Sequence, residues 1–107
     1  MTPKTTRVTR RLELDEGEAA RLADLFSALS DPSRVRIIAT LVAGPRNVGD
    51  VAHAVGLSES AVSHQLRGLR HMRVVRAQKQ GREVYYTLDD EHVVDLFQRG
   101  LDHVRHG

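Results

Sequence analysis

Residues 48–72, VGDVAHAVGLSESAVSHQLRGLRHM, place a glycine between two short amphipathic segments, and that arrangement limits the folds open to the chain. Val48 to Val55 and Glu59 to Met72 each carry apolar residues at helical spacing. Gly56 suits the left-handed cap that ends the first helix, and Ser58 suits the N-cap that starts the second. A three-residue turn between two helices gives the layout of a helix-turn-helix. Leu57, Val62, Leu66 and Leu69 supply its apolar contacts, and Ser58, Ser60, Ser63, His64, Gln65 and Arg67 supply a polar outer face. In this motif the second helix enters the major groove of DNA with its N-terminal part toward the bases. Gln65 can bond bidentately to adenine and serine can donate or accept at either pair, whereas Arg67 and Arg70 reach phosphates.

The flanking segments extend the pattern. From Asp15 to Ser30, Leu22, Leu25, Phe26 and Leu29 mark an amphipathic helix that Asp15 can cap, with Glu16 and Glu18 in its first turn. Asp31-Pro32 starts a second helix, Pro32 to Val42, expected to turn Val35, Ile38, Ala39, Leu41 and Val42 inward; Ala43-Gly44-Pro45 ends it. Val74 to Ala77 and Glu83 to Leu88 read as strands joined by the hairpin tip Lys79-Gln80-Gly81-Arg82. Arg76, Lys79 and Arg82 surround that tip and match a basic wing set against the DNA backbone or minor groove. A final helix runs from Glu91 to about Arg105. The expected fold is mainly α with a β-hairpin wing, a winged helix-turn-helix of order α-α-α-α-β-β-α. Residues 1–14 form a tail, and residues 15–107 a single domain that includes the terminal helix. The basic Thr/Arg-rich first eleven residues read as a disordered tail rather than a DNA-contacting arm.

The terminal segment DEHVVDLFQRGLDHVRHG holds three of the six histidines. On a helix, His103 and His106 are i,i+3 neighbours, and His92 lies about 16 Å away along the axis yet nearly on the same side. One helix cannot bring both ends of this set to one ion. Two antiparallel copies can, with Asp90 and His92 of one chain meeting His103 and His106 of the other and the two-fold axis repeating the site. Three imidazoles and a carboxylate make a tetrahedral set suited to zinc. Cobalt is its spectroscopic substitute and nickel its rival, reached by expansion to six ligands. Val93, Phe97, Leu101 and Val104 form the apolar stripe expected to pack on the first helix and its two-fold mate. His53 and His71 read as packing or surface groups. A homodimer formed through the terminal helices follows, and it adds burial that 107 residues without tryptophan need.

Composition narrows the function classes further. Sixteen cations stand against fourteen carboxylates, a formal charge of +2, so placement rather than net charge carries the nucleic-acid argument. Cysteine is absent, which removes disulfides, thiolate-ligated metals and thiol redox sensing. There is no HExxH, no glycine-rich phosphate loop and no nucleophile–base pair with sequence context, so no enzyme and no organic small-molecule substrate is expected. Without an apolar run of membrane-spanning length or a signal-peptide core, no membrane is expected and a cytoplasmic location follows by default.

The chain resembles the ArsR/SmtB family of dimeric winged-helix repressors in the segments LFSALSDPSRVRIIATL, GLSESAVSHQLRGLRHMRVV, GREVYYTLDD and DEHVVDLFQRGLDHVRH. The last of these is similar to the zinc/cobalt-sensing branch, which implies metal-ligand roles for Asp90, His92, His103 and His106. The resemblance places the ligand at Asp90 rather than Asp89. It also implies the sign of the response: the apo dimer binds an inverted-repeat operator in double-stranded DNA and metal releases it, derepressing efflux or sequestration genes. The branch's other, thiolate site has no counterpart in NVGDVAHAVG. The alternatives are a nickel- or cobalt-responsive repressor of the same architecture and a DNA-binding protein without ligand control.

Overall fold

A computed structural model describes residues 12–107. The order of elements is α1 (Glu16–Ala28), α2 (Pro32–Leu41), β1 (Arg46–Asn47), α3 (Val48–Val55), α4 (Glu59–His71), β2 (Val75–Gln80), β3 (Glu83–Leu88) and α5 (Glu91–His106). The expected mainly helical winged architecture is present, with one strand added. The first eleven residues of the expected tail lie outside the described range.

Each helix starts on a side chain that satisfies its free N–H groups. Asp15 and Glu18 form a reciprocal capping box at α1, where the Glu18 N–H donates to Asp15 Oδ1 at 2.7 Å. Asp31 accepts from the Arg34 N–H at 3.0 Å with Pro32 in the first turn of α2. Asn47, Ser58 and Asp90 cap α3, α4 and α5. Gly56 ends α3 at φ 71°, ψ 30°, and its N–H donates to the Ala52 carbonyl at 2.9 Å. A Cβ at Gly56 would meet nothing within 4 Å, so its conformation, and not crowding, selects glycine. Gly56→Ala is expected to cost about 1 kcal/mol, read as a lower urea midpoint with an unchanged m-value.

The core lies between α2, α3, α4 and the base of the wing. Ile37, Ile38, Leu41, Val51, Val62, Leu66, Leu69, Val74 and Val75 are fully buried, and Tyr86, Leu88 and Val93 close it. The inward face of α2 differs from the expected one: Ile37 is buried, Ala39 is exposed and Val35 is half-buried. The sheet is antiparallel in the order β1-β3-β2. β1 pairs Arg46 with Tyr86 and Asn47 with Tyr85, which ties the start of the helix-turn-helix to the wing. β2 runs on to Gln80, so only Gly81 and Arg82 form the turn, with Gly81 at φ 62°. The expected four-residue tip is thus half strand, because cross-strand pairing continues through Lys79–Val84 and Gln80–Glu83.

Candidate nucleic-acid interface and metal-ligand set

α4 owes its orientation to Val62, Leu66 and Leu69, which face the core and turn the opposite side to water. Ser58, Ser60, His64, Arg67 and Arg70 are exposed, and Ser63 and Gln65 are half-buried on the flanks. The outermost line of the helix is therefore Ser60, His64 and Arg67, spaced i, i+4, i+7, with Gln65 set to one side. The Ser58 hydroxyl oxygen accepts from the Ala61 N–H at 3.1 Å, so this side chain is committed to starting the helix.

On the wing, Arg76, Lys79 and Arg82 are all exposed. Because the strand continues to Gln80, Arg76 and Lys79 lie an odd number of residues apart and project to opposite faces. Only one of these two can share a DNA-facing surface with the tip. The hairpin is anchored through the α3 cap. Asn47, the α3 cap, accepts from the Asp50 N–H at 2.8 Å and donates through Nδ2 to Glu83 Oε1 at 3.2 Å. The Tyr85 hydroxyl donates to Glu83 Oε2 at 3.1 Å, and this bond, reinforced by the carboxylate charge, raises the phenol above its ordinary pKa. No local signal marks the Asn47–Glu83 bond, since the two residues are remote in sequence.

The four candidate metal ligands fall at the two ends of α5. Asp90 Oδ1 accepts from the Val93 N–H at 3.0 Å, and Asp90 Oδ2 stands 3.6 Å from His92 Nδ1. The Val93 N–H bond is the main cause that lowers the Asp90 carboxyl below its ordinary pKa, and the neighbouring imidazole acts in the same direction. The His92 side chain is 95% exposed. His103 and His106 are exposed in the last turns of the same helix. Among the described residues, no three histidine, aspartate or glutamate side chains of the one chain converge to hold an ion. The donor set suits a borderline divalent ion, but the helix separates its halves, so four ligands at one point require a second chain.

Two hollows frame these residues. One, between α1, the end of α4 and the start of α5, is lined in part by Arg21, Asp24, His71, Arg73, Asp90 and His92. It places the end of α4 beside the Asp90–His92 pair, which spacing alone did not show for His71. The other is apolar, lined by Phe26, Leu29, Val35, Phe97, Leu101 and Val104 among others, and it runs along α1 and α5. Phe26 is 52% and Val104 76% exposed. Among the described residues no helix is long and apolar enough to cross a membrane.

Residues 31–77 match the family model described as bacterial regulatory protein, arsR family. The chain is 48% identical over 88 residues to the transcriptional repressor SmtB homolog of Synechocystis sp. (strain ATCC 27184 / PCC 6803 / Kazusa), covering 82% of this chain and 67% of that protein. It is 43% identical over 93 residues to the HTH-type transcriptional regulator NmtR of Mycobacterium tuberculosis (strain ATCC 25618 / H37Rv), covering 87% and 78%. Among solved structures, the antimony-specific transcriptional repressor AntR superposes with a TM-score of 0.77 at 32% identity, over 86% of this chain and 84% of that one. The homodimeric winged helix-turn-helix DNA-binding domain of Mb0332 from Mycobacterium bovis, a possible ArsR-family regulator, gives 0.78 at 27% identity, over 87% and 89%. With capped helices, an outward polar line on α4 and a hairpin bound to its flank, the chain belongs to the ArsR/SmtB family of winged helix-turn-helix transcriptional regulators.

Proposed function

We propose that this protein is a zinc-responsive repressor whose apo homodimer binds an inverted-repeat operator and leaves it when the ion is taken up. The carrying observation is the division of α5: a paired Asp90 and His92 at one end, exposed His103 and His106 at the other, and an uncovered apolar strip between them. Antiparallel packing of two such helices buries the strip and brings each end of one chain to the opposite end of its mate. Asp90 and His92 of one chain with His103 and His106 of the other would hold zinc, which would supply a cross-link between the two chains.

DNA contact falls to α4 and the wing: Ser60, Ser63, His64 and Gln65 face base edges, while Arg67, Arg70, Arg82 and one of Arg76 and Lys79 face the backbone, with Ser58 starting the helix. A route from the ligands to this surface runs through backbone hydrogen bonds. Asp90 follows Asp89, whose N–H donates to the Val74 carbonyl at 2.9 Å. The Val74 N–H in turn donates to the Leu69 carbonyl within α4, also at 2.9 Å. A displacement of Asp90 is therefore carried to the end of the reading helix and to the base of the wing together.

The deciding experiment is a titration of duplex DNA, selected by the apo protein from a random pool, with and without zinc. Zinc is expected to weaken wild-type binding at least tenfold, a coupling of about 1.4 kcal/mol. DNA should lower zinc affinity by the same factor. His103→Ala should bind DNA as the apo protein does and respond little. Tighter wild-type binding with zinc would reverse the sign, and an unchanged response in the variant would put the sensing site elsewhere. Cobalt in place of zinc should give the intense d–d absorption of a four-coordinate ion; weak bands would favour a six-coordinate nickel-type site.

A further inference from the structure

The cations around the reading helix are not evenly spread. Arg67, Arg70, His71 and Arg73 line one concavity at the C-terminal end of α4. An adjoining concavity brings Arg34 of α2 beside His64, Gln65 and Arg67, and it shares Arg67 and His71 with the first. The two form one continuous surface. Arg67, Arg70, His71 and Arg73 are exposed, and among the described residues none has a carboxylate within ion-pairing distance. Arg34 has one long pair, 3.9 Å from Nε to Asp31 Oδ2, and that oxygen already accepts from the Arg34 N–H.

An ordinary cause accounts for part of this ridge. Cations in a helix's last turn offset its negative end, which suffices for Arg70. It does not suffice for Arg34, which stands in the first turn of α2, where the helix end is positive and a cation is disfavoured. Arg73 ends α4 as the left-handed residue of a closing turn, its N–H donating to the Arg70 carbonyl and the Val74 N–H to the Leu69 carbonyl; the turn explains its φ of 60°, but not the choice of arginine where glycine costs less. Two arginines kept at unfavourable positions, one from each side, extend the same surface, and Arg73 also lines the hollow that holds Asp24 and Asp90.

We propose that Arg34, Arg67, Arg70, His71 and Arg73 form a phosphate-gripping ridge that lengthens the DNA footprint beyond the bases faced by Ser60, His64 and Gln65. The ridge rests on the DNA-binding reading above and adds Arg34, His71 and Arg73 to its contacts. It follows the duplex backbone on the side of α4 away from the hairpin tip. It contributes affinity without sequence preference, as contacts to phosphate do.

The test is the salt dependence of binding to labelled mixed-sequence duplex DNA, followed by fluorescence anisotropy over a series of potassium chloride concentrations. Wild type is compared with Arg34→Gln, Arg73→Gln and the double variant. Arg99→Gln, on an exposed part of α5, removes the same charge away from the ridge. Each lost phosphate contact makes the plot of log affinity against log salt shallower by about 0.9. A dimer should therefore lose about 1.8 for each single substitution and about 3.6 for the double, with Arg99→Gln near wild type. Arg70→Gln and Arg73→Gln alter exposed side chains and carry the same test if Arg34→Gln does not fold, as judged by circular dichroism. A wild-type slope in the ridge variants, or an equal loss in Arg99→Gln, would overturn the ridge and leave DNA binding standing. Absence of salt-dependent binding by the wild type would overturn both.

Discussion

Phe26→Asp combined with Val104→Asp should turn the protein into a folded monomer that has lost about a thousandfold in affinity for an inverted repeat. Both side chains stand largely in water in the single chain, at 52% and 76% exposure, so the fold of one chain does not depend on them. They nevertheless line one apolar hollow with Leu29, Val35, Phe97 and Leu101, on the two helices that leave the core least attached to it. Facing copies of this surface would bury four such side chains, and four carboxylates placed there would meet across the two-fold axis without partners. Separate monomers must bind each half-site independently and lose the effective concentration that linkage provides. Sedimentation should give twice 11.9 kDa for wild type and 11.9 kDa for the variant, with matching circular dichroism. A variant that stays dimeric would place the interface elsewhere and remove the basis for a ligand set shared between chains.

What the amino-acid sequence makes legible here is what is written locally. Asp15 with Glu18, Asp31 with Pro32, Gly56 and Ser58 each act on neighbours within about one turn, and each cap stands where the residue types indicate. The inward phase of α2 was not legible because Val35, Ile37, Ile38, Ala39, Leu41 and Val42 are apolar around most of the helix. Packing against α3 and β3 then selects Ile37 over Ala39, the larger side chain gaining more from burial. β1 is two residues long and exists only through its pairing with Tyr85 and Tyr86, so no periodicity could announce it. The extension of β2 to Gln80 has the same origin and redistributes the wing's cations between two faces. Arg34 and Arg73 escaped notice as a pair because they share a surface only once α2 and the end of α4 are packed together. For the candidate ligands, residue type and spacing were readable. The double duty of Asp90, as helix cap and as neighbour of His92, was not.

That double duty yields a second large effect with an internal control. Asp90→Asn and Asp90→Ala should each weaken zinc binding by more than about a hundredfold, the upper end of what losing a mere outer partner of a ligand costs. Their stabilities should differ. Asparagine keeps an oxygen that can accept from the Val93 N–H and so preserves the start of α5, whereas alanine leaves that donor without a side-chain partner and should lower the thermal midpoint by a few degrees. The sign of the pH effect follows from the lowered carboxyl pKa. Its stabilising contribution is complete above the ordinary carboxylate range near pH 4 and is lost as pH falls through the lowered folded value. Thermal melts of wild type and Asp90→Asn should therefore converge in acid and separate above about pH 4, with wild type the more stable. If Asp90→Asn retains zinc affinity while Asp90→Ala loses it, the residue acts by holding the helix end in place and the carboxylate ligand must be sought elsewhere. If neither variant loses affinity, the three histidines bind without Asp90 and the proposed fourth ligand is wrong.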